Sequence, residues 1–381
     1  MDTFRLLLDV ITIHHHIFFF KSIHQYFGLV VLGGLSLGTA HSLMIKRDGT
    51  VWAAGGNTYG QLGFDPRAFP MTTNFVEIGE GKGVAAGGAH SMVLKQDGSV
   101  WATGSNSFGQ LGDRSNTGRK SFLPVIPGHA AAVAAGAKHS LVVMLDGSVW
   151  ATGFNLYGQL GDGTTIYRNK FLQVISSGAE TVSAGSEHSM VLLQDGSVWT
   201  TGLNAMGQLG DGSEELKSNF VQVVAAGVKA IAAGSYHSML FGPAGSVWIT
   251  GENKYGQLGD GTNIAKKEFV QVPIRGAYAI AAGYGHSMLL KREGSLFRAG
   301  RNDFGHLGDA AASFNNNFVP VISGGVQAVG AGDWHTMVLK HDGTLWATGS
   351  NVYGQLGDGS TTGKNVFVKV MPRAARRGEC L

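Results

Sequence analysis

Short apolar runs recur along this chain between glycine-rich polar segments. Residues 228–272 show one complete unit. Residues 228–234 read as a strand ending in glycine, and residues 237–241 as a second apolar strand. Pro243-Ala244-Gly245 stands where most units have Asp-Gly, and residues 246–250 read as a third strand. A long connection runs from Gly251 to Glu268, and residues 269–272 read as a fourth strand. The strands carry Val, Leu, Met and Trp with little polar alternation, which predicts sheets covered on both faces. Asp-Gly between two such runs, as at Asp97-Gly98 and Asp195-Gly196, is hairpin chemistry, because glycine accepts positive φ at low steric cost.

The pattern repeats with a constant step. His41, His90, His139, His188, His237, His286 and His335 are each 49 residues apart. A glycine lies three residues before each histidine and another eight residues after it. Eleven residues after each histidine come Trp52, Trp101, Trp150, Trp199, Trp248, Phe297 and Trp346. Gly-Gln-Leu-Gly recurs from Gly60 to Gly357, interrupted at His306. Four short strands per period of this length predict an all-β, seven-bladed β-propeller with four-stranded blades. A phenylalanine motif marks the fourth strand, and its last copy, Phe367, lies beyond the seventh histidine. The expectation is therefore a ring closed by pairing the N- and C-terminal strands in one blade. Deleting everything after Asn365 should then destabilise the whole ring. The expected organisation is an N-terminal extension over residues 1–28, the propeller over 29–372 and a tail over 373–381.

Composition narrows the function classes. Charged residues make up 14% and the net charge is +3, too balanced for a phosphate-tracking surface, so nucleic-acid binding is not expected. The single cysteine, Cys380, excludes an intramolecular disulfide and fits a reducing compartment, cytoplasmic or nuclear. Residues 1–28 hold apolar patches broken by Arg5, Asp9, His14, His15, His16 and Lys21. No run there reaches the ~18–20 apolar residues of a membrane helix, and the pattern of a signal peptide is spoiled, so no membrane association is expected.

The strings Gly-x-x-His-Ser, Asp-Gly-Ser-Val-Trp and Gly-x-Asn-x-Tyr-Gly-Gln-Leu-Gly-Asp resemble the regulator of chromosome condensation repeat, over about residues 29–372. The resemblance implies a seven-bladed propeller and no single function. Relatives include exchange factors for a Ran-type small GTPase, a plant ultraviolet-B receptor, propellers of HECT-type ubiquitin ligases and bacterial β-lactamase inhibitors. The exchange factors carry a protruding hairpin in one blade, and the constant 49-residue step leaves no room for it between the first and seventh histidines. The light receptor presents tryptophans in a Gly-Trp-Arg-His-Thr pattern, to which only Trp334 compares here.

A residue type used seven times is architecture, since an active site is used once. The seven histidines read as buried imidazoles bonded within their own blade rather than as metal ligands. The tryptophans Trp52, Trp101, Trp150, Trp199, Trp248 and Trp346 read as blade-to-blade packing. No phosphate loop, zinc-protease motif or nucleophile elbow is present, so no catalytic residue, metal or cofactor is assigned. The informative positions vary while their surroundings do not. Two residues separate each strand-ending glycine from its histidine, and here the chain places Lys138, Glu187, Tyr236, Tyr284, Asp333 and Trp334. Aromatics in such loops are favoured contact anchors. The variable segments after each Gly-Gln-Leu-Gly read as solvated loops. The expected role is a non-enzymatic protein-protein interaction scaffold or regulatory propeller, acting as a monomer on a protein partner. The alternative is nucleotide exchange on a Ran-type small GTPase.

Overall fold

The computed structural model describes residues 34–310 and 314–370. The expected extension over residues 1–28, the tail over 373–381 and Cys380 lie outside them. Within the described residues the strands form seven four-stranded antiparallel sheets, and each sheet is one contiguous stretch of chain. Strands run outward in chain order from the ring's centre, so each blade has an inner, a second, a third and an outer strand. The first blade comprises Leu35–Leu37, His41–Ile45, Thr50–Gly56 and Met71–Glu80. The seventh comprises Val326–Ala331, His335–Lys340, Leu345–Gly349 and Lys364–Val370.

This corrects the expected closure. The outer strand Lys364–Val370 pairs with Leu345–Gly349 of its own blade, with Leu345 opposite Val370 and Trp346 opposite Lys369. It does not add to the first blade, which supplies its own outer strand at Met71–Glu80. Phe75 already follows His41 within one blade, so the seven phenylalanine motifs and seven histidines match one to one. Pairing an outer strand with its immediate predecessor closes a short loop, which costs less entropy than joining the chain's ends. Deletion after Asn365 therefore removes the outer strand of the seventh blade rather than a shared one.

The ring closes through packing instead. Among the described residues an apolar cluster lies at each of the seven interfaces between neighbouring blades. At the seam, Leu37, Met44, Trp52 and Phe75 of the first blade meet Met337, Leu345 and Leu356 of the seventh. The sheets thus bury both faces, which explains strands without polar alternation.

The strand-ending glycines are fixed by close approach. A Cβ on Gly136 would lie 2.5 Å from the carbonyl of Gly185 in the next blade and 2.3 Å from Cε1 of His139. The same relation links Gly38 to Gly87 and, across the seam, Gly332 to Gly38. Seven backbones converge at this radius, and no side chain fits between them.

Candidate functional site

The two-residue loops between inner and second strands, and the long connections between third and outer strands, fall at the same end of every blade. They are also tied together. The backbone N–H of Glu252 donates to the carbonyl of Tyr236, that of Arg301 to Gly285, and that of Ser350 to Trp334, each at 2.8 Å. The residue after each third strand is thereby held beside a loop residue of its own blade.

In the fifth, sixth and seventh blades these positions assemble an aromatic arc. The rings of Tyr236 and Tyr284 meet edge to face with centroids 5.9 Å apart. Tyr284 stacks on Trp334 at 4.7 Å, and Phe304 meets Trp334 edge to face at 5.3 Å. All three loop aromatics are half-buried and Phe304 is exposed. Such ring pairs add about 0.5–1.5 kcal/mol each beyond burial, so the arc is a preformed rigid surface.

One guanidinium occupies the arc. Arg301 lies 4.7 Å from the Tyr255 ring, 5.1 Å from Trp334, 5.8 Å from Phe304 and 6.0 Å from Tyr284. Its Nε donates to Asp303 at 2.6 Å. Gly285 makes the room, since a Cβ there would sit 3.3 Å from Tyr255 and 3.5 Å from Cβ of Arg301. Cation–π contact of a partly desolvated guanidinium is worth about 1–2 kcal/mol.

The other anticipated residues take separate places. Lys138 is exposed and lies over a second aromatic group, 5.1 Å from Phe108 and 5.4 Å from Phe154. Glu187 is half-buried, and burial raises its carboxyl pKa against the opposing pull of Lys138. Asp333 accepts from Thr39 in the first blade at 2.6 Å and from Ser235 in the fifth at 3.4 Å. Burial raises its pKa too, with those two hydroxyls acting the other way. Tyr236, Tyr284 and Trp334 are thus brought together, Glu187 adjoins Tyr236 electrostatically, and Lys138 belongs to a neighbouring cluster.

Sequence reasoning missed Glu252, Arg301 and Phe154. All three occupy the variable slot between the third-strand glycine and the recurring asparagine, a position whose variation was visible. The segments just before the Gly-Gln-Leu-Gly turns and their sixth-blade counterpart were not singled out in the sequence. Tyr59, Leu156, Met206, Phe304, Val352 and Tyr353 expose apolar surface there. Asparagine explains why these loops are nonetheless fixed: Asn106 Oδ1 accepts from the Leu111 N–H while Nδ2 donates to Asp113 and to the carbonyl of Ser115.

The seven histidines are fully buried, but their partner is the next blade, not their own. Nε2 of His41 meets Ser91 Oγ at 2.9 Å, and His139 meets Ser189 in the same way. Six of these hydroxyls are serines that donate to a glutamine carbonyl of the histidine's blade, as Ser91 does to Gln61 at 2.7 Å, and the seventh is Thr336, which bonds His286 and donates to the His306 carbonyl at 2.7 Å. Each hydroxyl's proton is thus committed, so Nε2 must carry the imidazole hydrogen and donate. Burial lowers His41, His139, His237 and His335 to about 3 and His90 and His188 to about 4, with charge repulsion between neighbours adding in several. Burial also drives His286 well below its ordinary value. Among the described residues no group of three or more His, Cys, Asp and Glu side chains could hold a metal ion. The indole Nε1 of Trp101 donates to Ser99 and that of Trp346 to Thr344. Trp52 packs into the seam and Trp346 against the sixth blade's core, whereas Trp248 stands 38% exposed.

Comparison with known proteins follows from this geometry. Family models described as "Regulator of chromosome condensation (RCC1) repeat" match residues 34–61, 82–110, 130–159, 180–208 and 326–355. A second model of the same description matches 97–143, 146–192, 195–241 and 244–290. A search of curated proteins returns no match. Among solved structures, human WBSCR16 superposes with a TM-score of 0.75 at 22% identity, covering 84% of this chain and 93% of its own. Yeast RCC1 (Prp20), solved bound to Kap60, gives 0.77 at 18% identity over 97% and 91%. Prp20p from Saccharomyces cerevisiae, described with its binding to Gsp1p and histones, gives 0.73 at 20% identity over 88% and 87%. At these identities the likeness is one of fold. No helix among the described residues is long and apolar enough to cross a membrane.

Proposed function

We infer that this chain, which belongs to the regulator of chromosome condensation repeat family, is a non-catalytic interaction propeller that engages a protein partner through its loop-bearing end. The aromatic arc of Tyr236, Tyr284, Trp334 and Phe304 carries this reading. Aromatic side chains present large, stiff contact area and dominate binding energies at interfaces. The exposed apolar residues of the neighbouring connections extend the same surface. The partner's compartment is taken as cytoplasmic or nuclear.

Nucleotide exchange on a small GTPase is the second reading. It is favoured by the shared propeller of Prp20p, which is described as binding Gsp1p. Each described blade holds only its four strands, so a prying hairpin of the kind expected in exchange factors is not among them.

A pull-down from source-cell lysate, with and without EDTA, separates the two. EDTA strips magnesium and with it nucleotide from small GTPases, and exchange factors hold the empty form. A partner captured regardless of EDTA, and lost when Tyr236, Tyr284 and Trp334 become alanine, is the expected result. A GTPase captured only with EDTA would replace it with the exchange reading.

A further inference from the structure

At the loop-bearing end Lys254 lies over Tyr255, and two further cations sit on aromatic faces, Lys138 over Phe108 and Phe154, and Arg301 among Tyr255, Tyr284 and Trp334. Between them lies a third station of like composition and opposite charge. Glu252 adjoins Tyr236, its backbone N–H donating to the Tyr236 carbonyl at 2.8 Å, and Glu187 holds the equivalent loop position one blade earlier, 49 residues before Tyr236; the tyrosine hydroxyl's pKa is raised by burial first and then by these carboxylates among other groups. Glu252 stands where the next blade has Arg301, exactly one repeat of 49 residues earlier.

Neither carboxylate is satisfied by a cation. No ion pair to Glu187 or Glu252 occurs among the described residues, although Lys138, Lys254 and Arg301 are near enough to act on one or the other at longer range. Gln257 Nε2 donates to Oε2 of Glu252 at 3.0 Å, and among the described residues no side-chain hydrogen bond reaches Glu187. Both are half-buried. Holding unpaired carboxylates partly out of water costs free energy, and burial raises both pKa values accordingly. A cost without a structural return points to a ligand that supplies the missing charge.

We propose that Tyr236, Glu187 and Glu252 form a recognition site for an arginine or lysine side chain of a basic partner segment, with Tyr284 and Trp334 as the adjoining platform. Arg301 shows inside the molecule what the site accepts: a guanidinium against ring faces with a carboxylate on its Nε. The carboxylates give charge complementarity, and the tyrosine ring gives the cation a polarisable face. This rests on the interaction reading above and specifies its partner as basic.

The test is a fluorescence-anisotropy titration of the full chain with a labelled alternating Arg-Gly peptide and an alternating Glu-Gly control. The arginine peptide should bind saturably, more weakly as salt rises, and the acidic peptide should not. Glu187→Gln with Glu252→Gln should weaken binding by about tenfold or more, as expected for removing charges that face a bound cation. Its melting temperature should equal or exceed that of the parent. Glu252→Arg copies the next blade, places an internal cation beside Tyr236 and should block the peptide while folding normally. No saturable binding, or unchanged affinity in both variants, overturns the proposal. If the peptide fails but the lysate partner is still lost in the aromatic-to-alanine variant, the basic ligand falls and the interaction reading stands.

Discussion

His335 of the seventh blade holds Ser42 of the first, Nε2 to Oγ at 2.7 Å, and Ser42 in turn donates to the carbonyl of Gln355 at 2.7 Å. Blades one to five make the same contact with their successors, and the sixth makes it through Thr336 and the His306 carbonyl; here it is used where no peptide bond joins the two. Ser42→Ala leaves a buried imidazole N–H and a buried carbonyl without partners. It should cost about 1–3 kcal/mol in urea unfolding. Ser140→Ala removes the same bonds within the chain's run, where His90 and Gln110 are left. The two should cost similar amounts, and a negligible loss for Ser42→Ala would mean that the seam is held by packing alone.

Acid should open the ring early. The seven ring histidines and His306, itself lowered to about 4 by burial, all have folded pKa values below 6.5. Below pH 6.5 the unfolded chain takes up protons that the folded chain refuses. Stability is therefore complete above that pH and is lost as pH falls towards 4, at about 1.4 kcal/mol per pH unit for each histidine. Eight such groups together rival an ordinary domain's entire stability within about one pH unit. Tryptophan fluorescence should report cooperative unfolding between about pH 4.5 and 6, before most carboxylates titrate. An unchanged spectrum at pH 4 would contradict the buried neutral ring.

The sixth blade rewires one ion pair. In five blades the aspartate after Gly-Gln-Leu-Gly pairs with a base six residues on, as Asp113 does with Arg119, Asp162 with Arg168 and Asp358 with Lys364. In the sixth blade that later residue is Asn315, and Asp309 instead pairs with Arg298, which enters from the third strand. Arg298 is 6% exposed, where most blades carry a small residue. Asp309→Asn strands a buried guanidinium and should cost about 3–5 kcal/mol by thermal or urea unfolding. Arg298→Ala combined with Asn315→Arg should recover most of the stability that Arg298→Ala alone loses.

Two glycine substitutions should separate crowding from backbone strain. Gly136→Ala drives a methyl into the Gly185 carbonyl and the His139 ring, so two blades must move apart. Gly178→Ala meets nothing within 4 Å, but its φ of +85° strains any Cβ. The second should cost about 1–2 kcal/mol and the first more, with near-ultraviolet circular dichroism changing only in the first. Equal costs would remove the argument for convergence at the ring's centre.

Strand number, blade number and the buried histidines were legible because each is enforced seven times, and repetition turns a weak local pattern into a strong one. The Asp-Gly turns announced their own geometry, as Gly98 at φ +81° shows. Closure was misread because antiparallel neighbours leave no mark in a periodic sequence of where one blade ends. The partner of His41 was misplaced for a related reason: a spacing of 50 residues to Ser91 is one repeat plus one, and periodicity hides it. The cage around Arg301 draws on the loops of three blades. Tyr255, Tyr284 and Trp334 carried the aromatic chemistry in the sequence, but only the folded ring shows which cation they enclose.

That every blade is one unbroken stretch has an evolutionary consequence. A ring with a shared blade fixes where its chain must begin, since the two halves have to find each other. Here the seam repeats the contacts of every other interface, so moving the break to another blade would sever no sheet. Circular permutants that start at Gly83 or Ala130 should assemble the same ring. Blades built this way can be gained, lost or exchanged as whole modules.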